Sequence, residues 1–173
     1  MKALVTGASS GIGRDIAKEL SKRGYDLILV SRDLERLNKV KAQLETNAEV
    51  ISLDLSVPEN CIKLHEKYGD VDILVNNAGF GDCGEFTETK LEKELKMIDT
   101  NVVAYHILTK LYLQDMKKKN KGQILNVASI AGFMPGPHMA TYYATKSYIV
   151  RLSEAIREEL RRDNSKVKIS ILC

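Results

Sequence analysis

No apolar run in this sequence approaches the length of a membrane-spanning helix, so no membrane partner is expected. Cysteine is scarce. The three residues, Cys61, Cys83 and Cys173, are an odd number and lack Cys-x-x-Cys spacing, which argues against a disulfide framework or a zinc site. Free thiols in a reducing cytoplasm are the expectation. The three histidines, at 65, 106 and 138, are scattered, and no metal centre is expected. Charge of one sign is also lacking, for the net charge is only +3. The single dense basic run, Lys117-Lys118-Lys119-Asn120-Lys121, falls between a helical and a strand pattern. It reads as a solvated helix end whose cations suit the helix dipole, not as a nucleic-acid contact. Low-complexity segments, internal repeats and interdomain linkers are absent, and Met1 leads straight into a strand pattern with no signal or transit segment expected.

What remains is an ordinary globular composition, 44% hydrophobic and 28% charged over 173 residues, which suits one domain with one sizeable core. Short apolar runs alternate with helical patterns. Strands are expected at 2–6, 26–30, 49–54, 71–75, 123–128 and 167–172. The first helix carries Ile12, Ile16 and Leu20 on one face and stops at Gly24. The second has Asp33 as its N-cap and Leu34, Leu37, Val40 and Leu44 at helical spacing. Capping boxes Ser56-Val57-Pro58-Glu59 and Thr89-Lys90-Leu91-Glu92 open the third and fourth. The fourth is long, with Leu91, Leu95, Ile98, Val102, Leu108 and Leu111, and the fifth carries Ile149, Leu152, Ile156 and Leu160.

Strict alternation of six strands and five helices implies right-handed crossovers and a doubly wound parallel sheet with helices on both faces, an α/β fold of Rossmann type. Ligands in such sheets bind beyond the carboxyl ends of the strands. The polar and glycine-rich segments fall at those ends: Gly7 to Gly13 after the first strand, Asp54 after the third, Asn76 to Gly79 after the fourth and Ser129 after the fifth.

The stretch from Ser129 to Lys146 supplies a hydroxyl, the phenol of Tyr142 and the amine of Lys146. Tyr142 and Lys146 are four apart and share a helix face. An ammonium beside a phenol favours the phenolate, which makes the phenol usable in proton transfer near neutral pH. Tyr143 stands three residues from Lys146 and shares a face with it too, so spacing alone leaves both tyrosines open.

Together these motifs resemble the short-chain dehydrogenase/reductase family. Its cofactor turn, Thr-Gly-x-x-x-Gly-x-Gly, is matched by Thr6, Gly7, Gly11, Ile12 and Gly13, with Ser9 and Ser10 inside the turn. Its Asn-Asn-Ala-Gly segment is matched by Asn76, Asn77, Ala78 and Gly79, and its helical Asn by Asn101. The family's Ser, Tyr and Lys are matched by Ser129, Tyr142 and Lys146, and its adenine-binding Asp by Asp54, followed by Leu55. The resemblance implies hydride transfer between a nicotinamide cofactor and a small-molecule carbonyl or alcohol. It implies that Tyr142 (not Tyr143) is the proton donor or acceptor, that Ser129 stabilises the substrate oxygen, and that Lys146 holds the nicotinamide ribose. Asn101 would support a water relaying protons from Lys146. It also implies a homo-oligomer, dimer or tetramer, through the long helices at 89–119 and 141–162.

Cofactor choice turns on the end of the second strand, where an acid selects the ribose hydroxyl of NAD and an arginine accommodates the 2′-phosphate of NADP. Here Ser31 and Arg32 follow Val30, which favours NADP(H). The alternative is that Asp33 takes the ribose. Family members also continue past the sixth strand with a Pro-Gly segment, a substrate loop and a seventh strand. On that comparison residues 1–173 are expected to be a single dinucleotide-binding domain, truncated, with its last strand an exposed apolar edge. The alternative function is a dinucleotide-binding fragment without turnover.

Overall fold

The computed structural model describes all 173 residues. Six strands, β1 (Lys2–Thr6), β2 (Asp26–Ser31), β3 (Ala48–Ser52), β4 (Ile73–Asn76), β5 (Gln123–Val127) and β6 (Lys168–Leu172), form one sheet in the order β3-β2-β1-β4-β5-β6. Every pair is parallel, with Leu4 opposite Ile28 and Leu74, and Asn76 opposite Asn126. The expected α/β architecture is therefore present. The winding reverses between β1 and β4, where side chains from distant parts of the chain meet at the carboxyl edge.

The alternation of side chains along each strand supplies two cores. Leu4, Ile28, Leu74, Ile124 and Ile169 face one side, under helices α3 (Pro58–Tyr68), α5 (Ala104–Lys119) and α6 (Ala140–Arg162). Ala3, Val5, Leu27, Leu29 and Val75 face the other, under α1 (Gly11–Lys22) and α2 (Leu34–Lys41). Helix α4 (Leu91–Ile98) runs into α5 through a π-helical turn, Asp99–Val103. The long helix expected from residue 89 is thus broken in register, and the residue buried at that break is Asn101.

Several local expectations are corrected. Ser56 does not cap α3, whose N-cap is Val57. Its hydroxyl donates to Asp54 Oδ1 at 2.8 Å instead. Thr89 does not cap α4 either, since its hydroxyl donates to Glu94 Oε1 at 2.8 Å. Ile12 is 53% exposed, because the buried face of α1 is made by Gly13, Ala17 and Ser21. Leu91, Leu95 and Ile98 likewise point outward, and α4 buries Glu94 and Met97. The lysine run is not merely solvated: Lys117, Lys118, Lys119 and Lys121 pair with Asp163, Asp115, Asp70 and Asp72 at 2.5–2.9 Å. Edge strand β6 exposes Lys168 and Ser170 alongside Leu172, so its open face is more polar than expected for an apolar edge.

Asp33 does cap α2, accepting from Arg36 N at 2.9 Å. An Asn within the apolar run of β5 is also accommodated. Asn126, fully buried, accepts at 3.0 Å from Asn76 Nδ2 and donates at 2.9 Å to Ser153 on α6. Asn76 Nδ2 also donates to Thr109 on α5.

Candidate active site

The turn after β1 is stitched to the turn after β4. Thr6 Oγ1 donates to Val75 O and accepts from the N–H groups of Asn77 and Ala78 at 2.9 and 3.0 Å. Asn77 Nδ2 in turn donates to the carbonyls of Thr6 and Gly7. This contact requires glycine twice. Gly7 has φ +63°, and a Cβ there would stand 2.7 Å from Asn77 Nδ2. A Cβ on Gly13 would lie 2.4 Å from the same nitrogen and 2.5 Å from Gly7 O.

Above this floor lies an open cleft of about 940 Å³ along the carboxyl edge of the sheet. Of the residues expected at the cofactor, all but Thr6 and Gly13 line it. Those two are buried beneath, where they shape the floor without facing the cleft. The N-terminus of α1 opens into the cleft. Its N-cap, Ser10, makes no side-chain bond, and its first turn carries no acidic residue. The first N–H groups of a helix have no partner within it, so Gly11 and Ile12 present donors and positive potential there.

At one end of the cleft, the Ser9 and Ser31 hydroxyls are 2.8 Å apart, with Arg32 and Arg36 alongside. Arg36 was not anticipated, though it stands one helical turn past Arg32. The neighbouring carboxylate, Asp33, is engaged by its own helix cap and by Arg36 Nε at 3.2 Å. Farther along, Asp54 Oδ1 accepts from the Ser56 N–H and hydroxyl, and Oδ2 lies 3.4 Å from Lys96 Nζ. Burial opposes its charge, but these bonds and Lys96 outweigh it and hold the carboxyl below its usual range.

At the other end, Tyr142 and Lys146 both line the cleft from α6. Lys146 is 5% exposed and donates to Val127 O at 3.0 Å. Its Nζ lies 5.8 Å from the Tyr142 ring centroid. Burial pushes its pKa down to about 8. Tyr143 does not line the cleft. Its ring packs over Gly136, where a Cβ would come within 2.4 Å.

Ser129 is half-buried, next to the cleft-lining Ala128 and not itself among the lining residues. Its Oγ accepts from Ala131 N at 3.2 Å and caps the short 3-10 turn Ile130–Phe133. Asn101 lies behind the cleft wall. Its amide bonds Phe80 N, Phe80 O and Thr145 Oγ1 at 3.1, 2.8 and 3.1 Å, which ties the segment after β4 to α6. Phe80 and Gly81, from the loop after β4, also line the cleft, as do Thr100 and Met139, which the sequence did not single out. Cys83 is exposed and outside the cleft.

Residues 1–173 match the protein family described as short chain dehydrogenase. An uncharacterized oxidoreductase of Staphylococcus epidermidis is 38% identical over 169 residues, covering 95% of this chain and 74% of the relative. A metagenomic short-chain oxidoreductase solved in complex with NADP superposes with a TM-score of 0.89 at 32% identity, covering 99% of this chain and 80% of the other. A short-chain dehydrogenase/reductase from Burkholderia phymatum, solved in complex with NAD, gives a TM-score of 0.92 at 29% identity over 99% of this chain and 64% of its own length.

Proposed function

The chain belongs to the short-chain dehydrogenase family, a family of oxidoreductases, and from that premise we propose that it transfers hydride between NADP(H) and a small carbonyl or alcohol. One observation carries the reading: the helix N-terminus and glycine turn suited to a pyrophosphate open into the same cleft as Tyr142 and Lys146. The cradle fits the cofactor, since Gly7 and Gly13 draw the backbone down where any side chain would collide. The preference for the 2′-phosphate is supported by Arg32 and Arg36 beside the Ser9 and Ser31 hydroxyls, and by the prior engagement of Asp33. Asp54 and Leu55 would hold the adenine end, and Asn77 to Gly79 the middle of the dinucleotide.

The bound nicotinamide would supply the hydride. In the reduction direction Tyr142 gives its hydroxyl proton to the substrate oxygen. Ser129, whose Oγ already accepts from Ala131 N, turns its own hydrogen toward that oxygen and stabilises its charge. Lys146 exchanges a proton near neutral pH because burial has brought its titration to about 8. Asn101 acts by fixing Phe80, and with it the wall opposite Tyr142. Leu91, Leu95 and Ile98, exposed on α4, and Tyr148, exposed on α6, support association of copies through these helices. No helix is long and apolar enough to cross a membrane, and the free thiols suit a reducing compartment such as the cytoplasm.

The test pairs NADPH binding, followed by fluorescence, with carbonyl-dependent NADPH oxidation. Tyr142→Phe should bind NADPH and lose turnover. Binding without oxidation of any of a broad panel of ketones and acyl compounds would overturn the catalytic reading. Turnover that survives Tyr142→Phe and is lost in Tyr143→Phe would overturn the assignment of the phenol.

A further inference from the structure

Tyr105 lies in the first turn of α5 and is 2% exposed. It does not line the cleft, and nothing in its sequence context sets it apart. Its hydroxyl donates to Val127 O at 3.1 Å. The same carbonyl accepts from Lys146 Nζ at 3.0 Å. The sequence of β5 and the sheet register explain why that carbonyl is free for side chains. Val127 ends β5, and its strand's pairing with β4 has already stopped at Asn126. The ammonium also lies over the Tyr105 ring, 5.6 Å from its centroid. A phenol therefore meets the amine twice, through a shared acceptor and through its ring face.

We propose that Tyr105 is a positioning residue for Lys146, its hydroxyl occupying one lone pair of the Val127 carbonyl and its ring face holding the ammonium against the other. A carbonyl oxygen has two lone pairs, so the hydroxyl confines the amine to a single site. The ring adds the attraction of a π face for a cation, which strengthens where water is excluded. A phenylalanine would fill the same space without demanding an acceptor, so the hydroxyl is there for its bond. Burial raises the Tyr105 pKa above its ordinary value, which keeps that hydroxyl a donor throughout the working range. The other groups facing Lys146 are Tyr142 on its own helix and Cys173 just past β6, with Asn101 across Gly79. No Asp or Glu is among them, so Tyr105 and Val127 together fix the amine. The functional weight of this arrangement rests on Lys146 acting at the reaction site, whereas the arrangement itself does not.

The test follows Lys146 directly, by NMR titration of the reductively ¹³C-methylated full chain without cofactor, its signal assigned by loss in Lys146→Arg. In Tyr105→Phe the Val127 carbonyl serves the ammonium alone, and the titration should rise by about 0.5 pH units. In Tyr105→Leu the ring face is lost as well, and the titration should fall below that of the Phe variant. The pH profile of NADPH-dependent turnover should move the same way in Tyr105→Phe. A Lys146 titration in the Phe variant that coincides with the native one would overturn the proposal, even if Tyr105→Leu fails to fold. A shifted titration in a protein with no turnover would leave the positioning intact and overturn the oxidoreductase reading instead.

Discussion

Asn101 and Phe80 are bound reciprocally: the Phe80 N–H donates to Asn101 Oδ1 at 3.1 Å, and Asn101 Nδ2 donates to Phe80 O at 2.8 Å. A side-chain amide thus takes the place of a neighbouring strand for the segment that leaves β4. It does so from the π-helical turn, fully buried, with its second N–H on Thr145 of α6. Asn101→Leu would remove the partner of both Phe80 backbone groups, while the Thr145 hydroxyl keeps its bond to Tyr142 O. The expected loss is about 2–4 kcal/mol of unfolding free energy, read from urea denaturation. A loss below about 1 kcal/mol would mean that Phe80 finds other partners.

Gly81 stands against the phenol of Tyr142. A Cβ there would lie 3.2 Å from Tyr142 Cδ2 and 3.4 Å from Met139 Cε, close enough that the ring must move by a few tenths of an ångström. Gly81→Ala should leave NADPH affinity unchanged and lower turnover by about tenfold, because a small displacement of the proton donor costs rate without touching the cofactor. Steady-state kinetics beside a fluorescence titration separates the two. Equal losses in both would place the effect on the whole cleft.

Arg32, just past β2, and Arg36, in the first turn of α2, should discriminate between cofactors. Each can form charge-assisted bonds to a 2′-phosphate worth about 1.5–3 kcal/mol. Arg32→Ala should therefore raise the NADPH dissociation constant by about 10- to 100-fold and leave that for NADH within about twofold. Arg36→Ala should act the same way, more weakly, because Arg36 already pairs with Asp33. Parallel losses for NADPH and NADH would remove the case for the phosphate.

The parts of the fold that could be read from the sequence are those in which local pattern and tertiary demand coincide. The inner strands β1, β2, β4 and β5 are covered on both faces, so they are largely continuous apolar runs bounded by turns, and the parallel arrangement follows from alternation. Where two local readings competed, tertiary contacts decided. Ser56 and Thr89 have the composition of helix caps, yet their hydroxyls bond Asp54 and Glu94, which are better acceptors nearby. Ile12 and Leu91 sit at helical apolar spacing but face outward, because the buried faces of α1 and α4 are defined by small residues and by Glu94 and Met97. The site divides in the same way. Residues at strand ends converge because the topology places them there, which needs no atomic detail. Gly81 and Tyr105 contribute through distances of a few ångströms between distant segments, and no spacing in the sequence encodes those, whereas Arg36 stands within one helical turn of Arg32 and Asp33.

The buried amine of Lys146 should make itself felt in stability. Its folded pKa of about 8 lies below the ordinary 10.5 because burial disfavours the ammonium. Below pH 8 both folded and unfolded chains carry the proton, and the folded chain bears the whole penalty, roughly 3 kcal/mol. Between about 8 and 10.5 the unfolded chain holds a proton that the folded chain has released, so stability rises with pH across that window. Lys146→Met, similar in length and uncharged, should therefore be more stable than the native protein at pH 7, and its advantage should shrink as pH rises toward 10. Urea unfolding of both proteins at pH 7 and pH 9.5 measures this. A native protein more stable than Lys146→Met at pH 7 would mean that the bonds to Val127 and the ring of Tyr105 outweigh the burial of the charge.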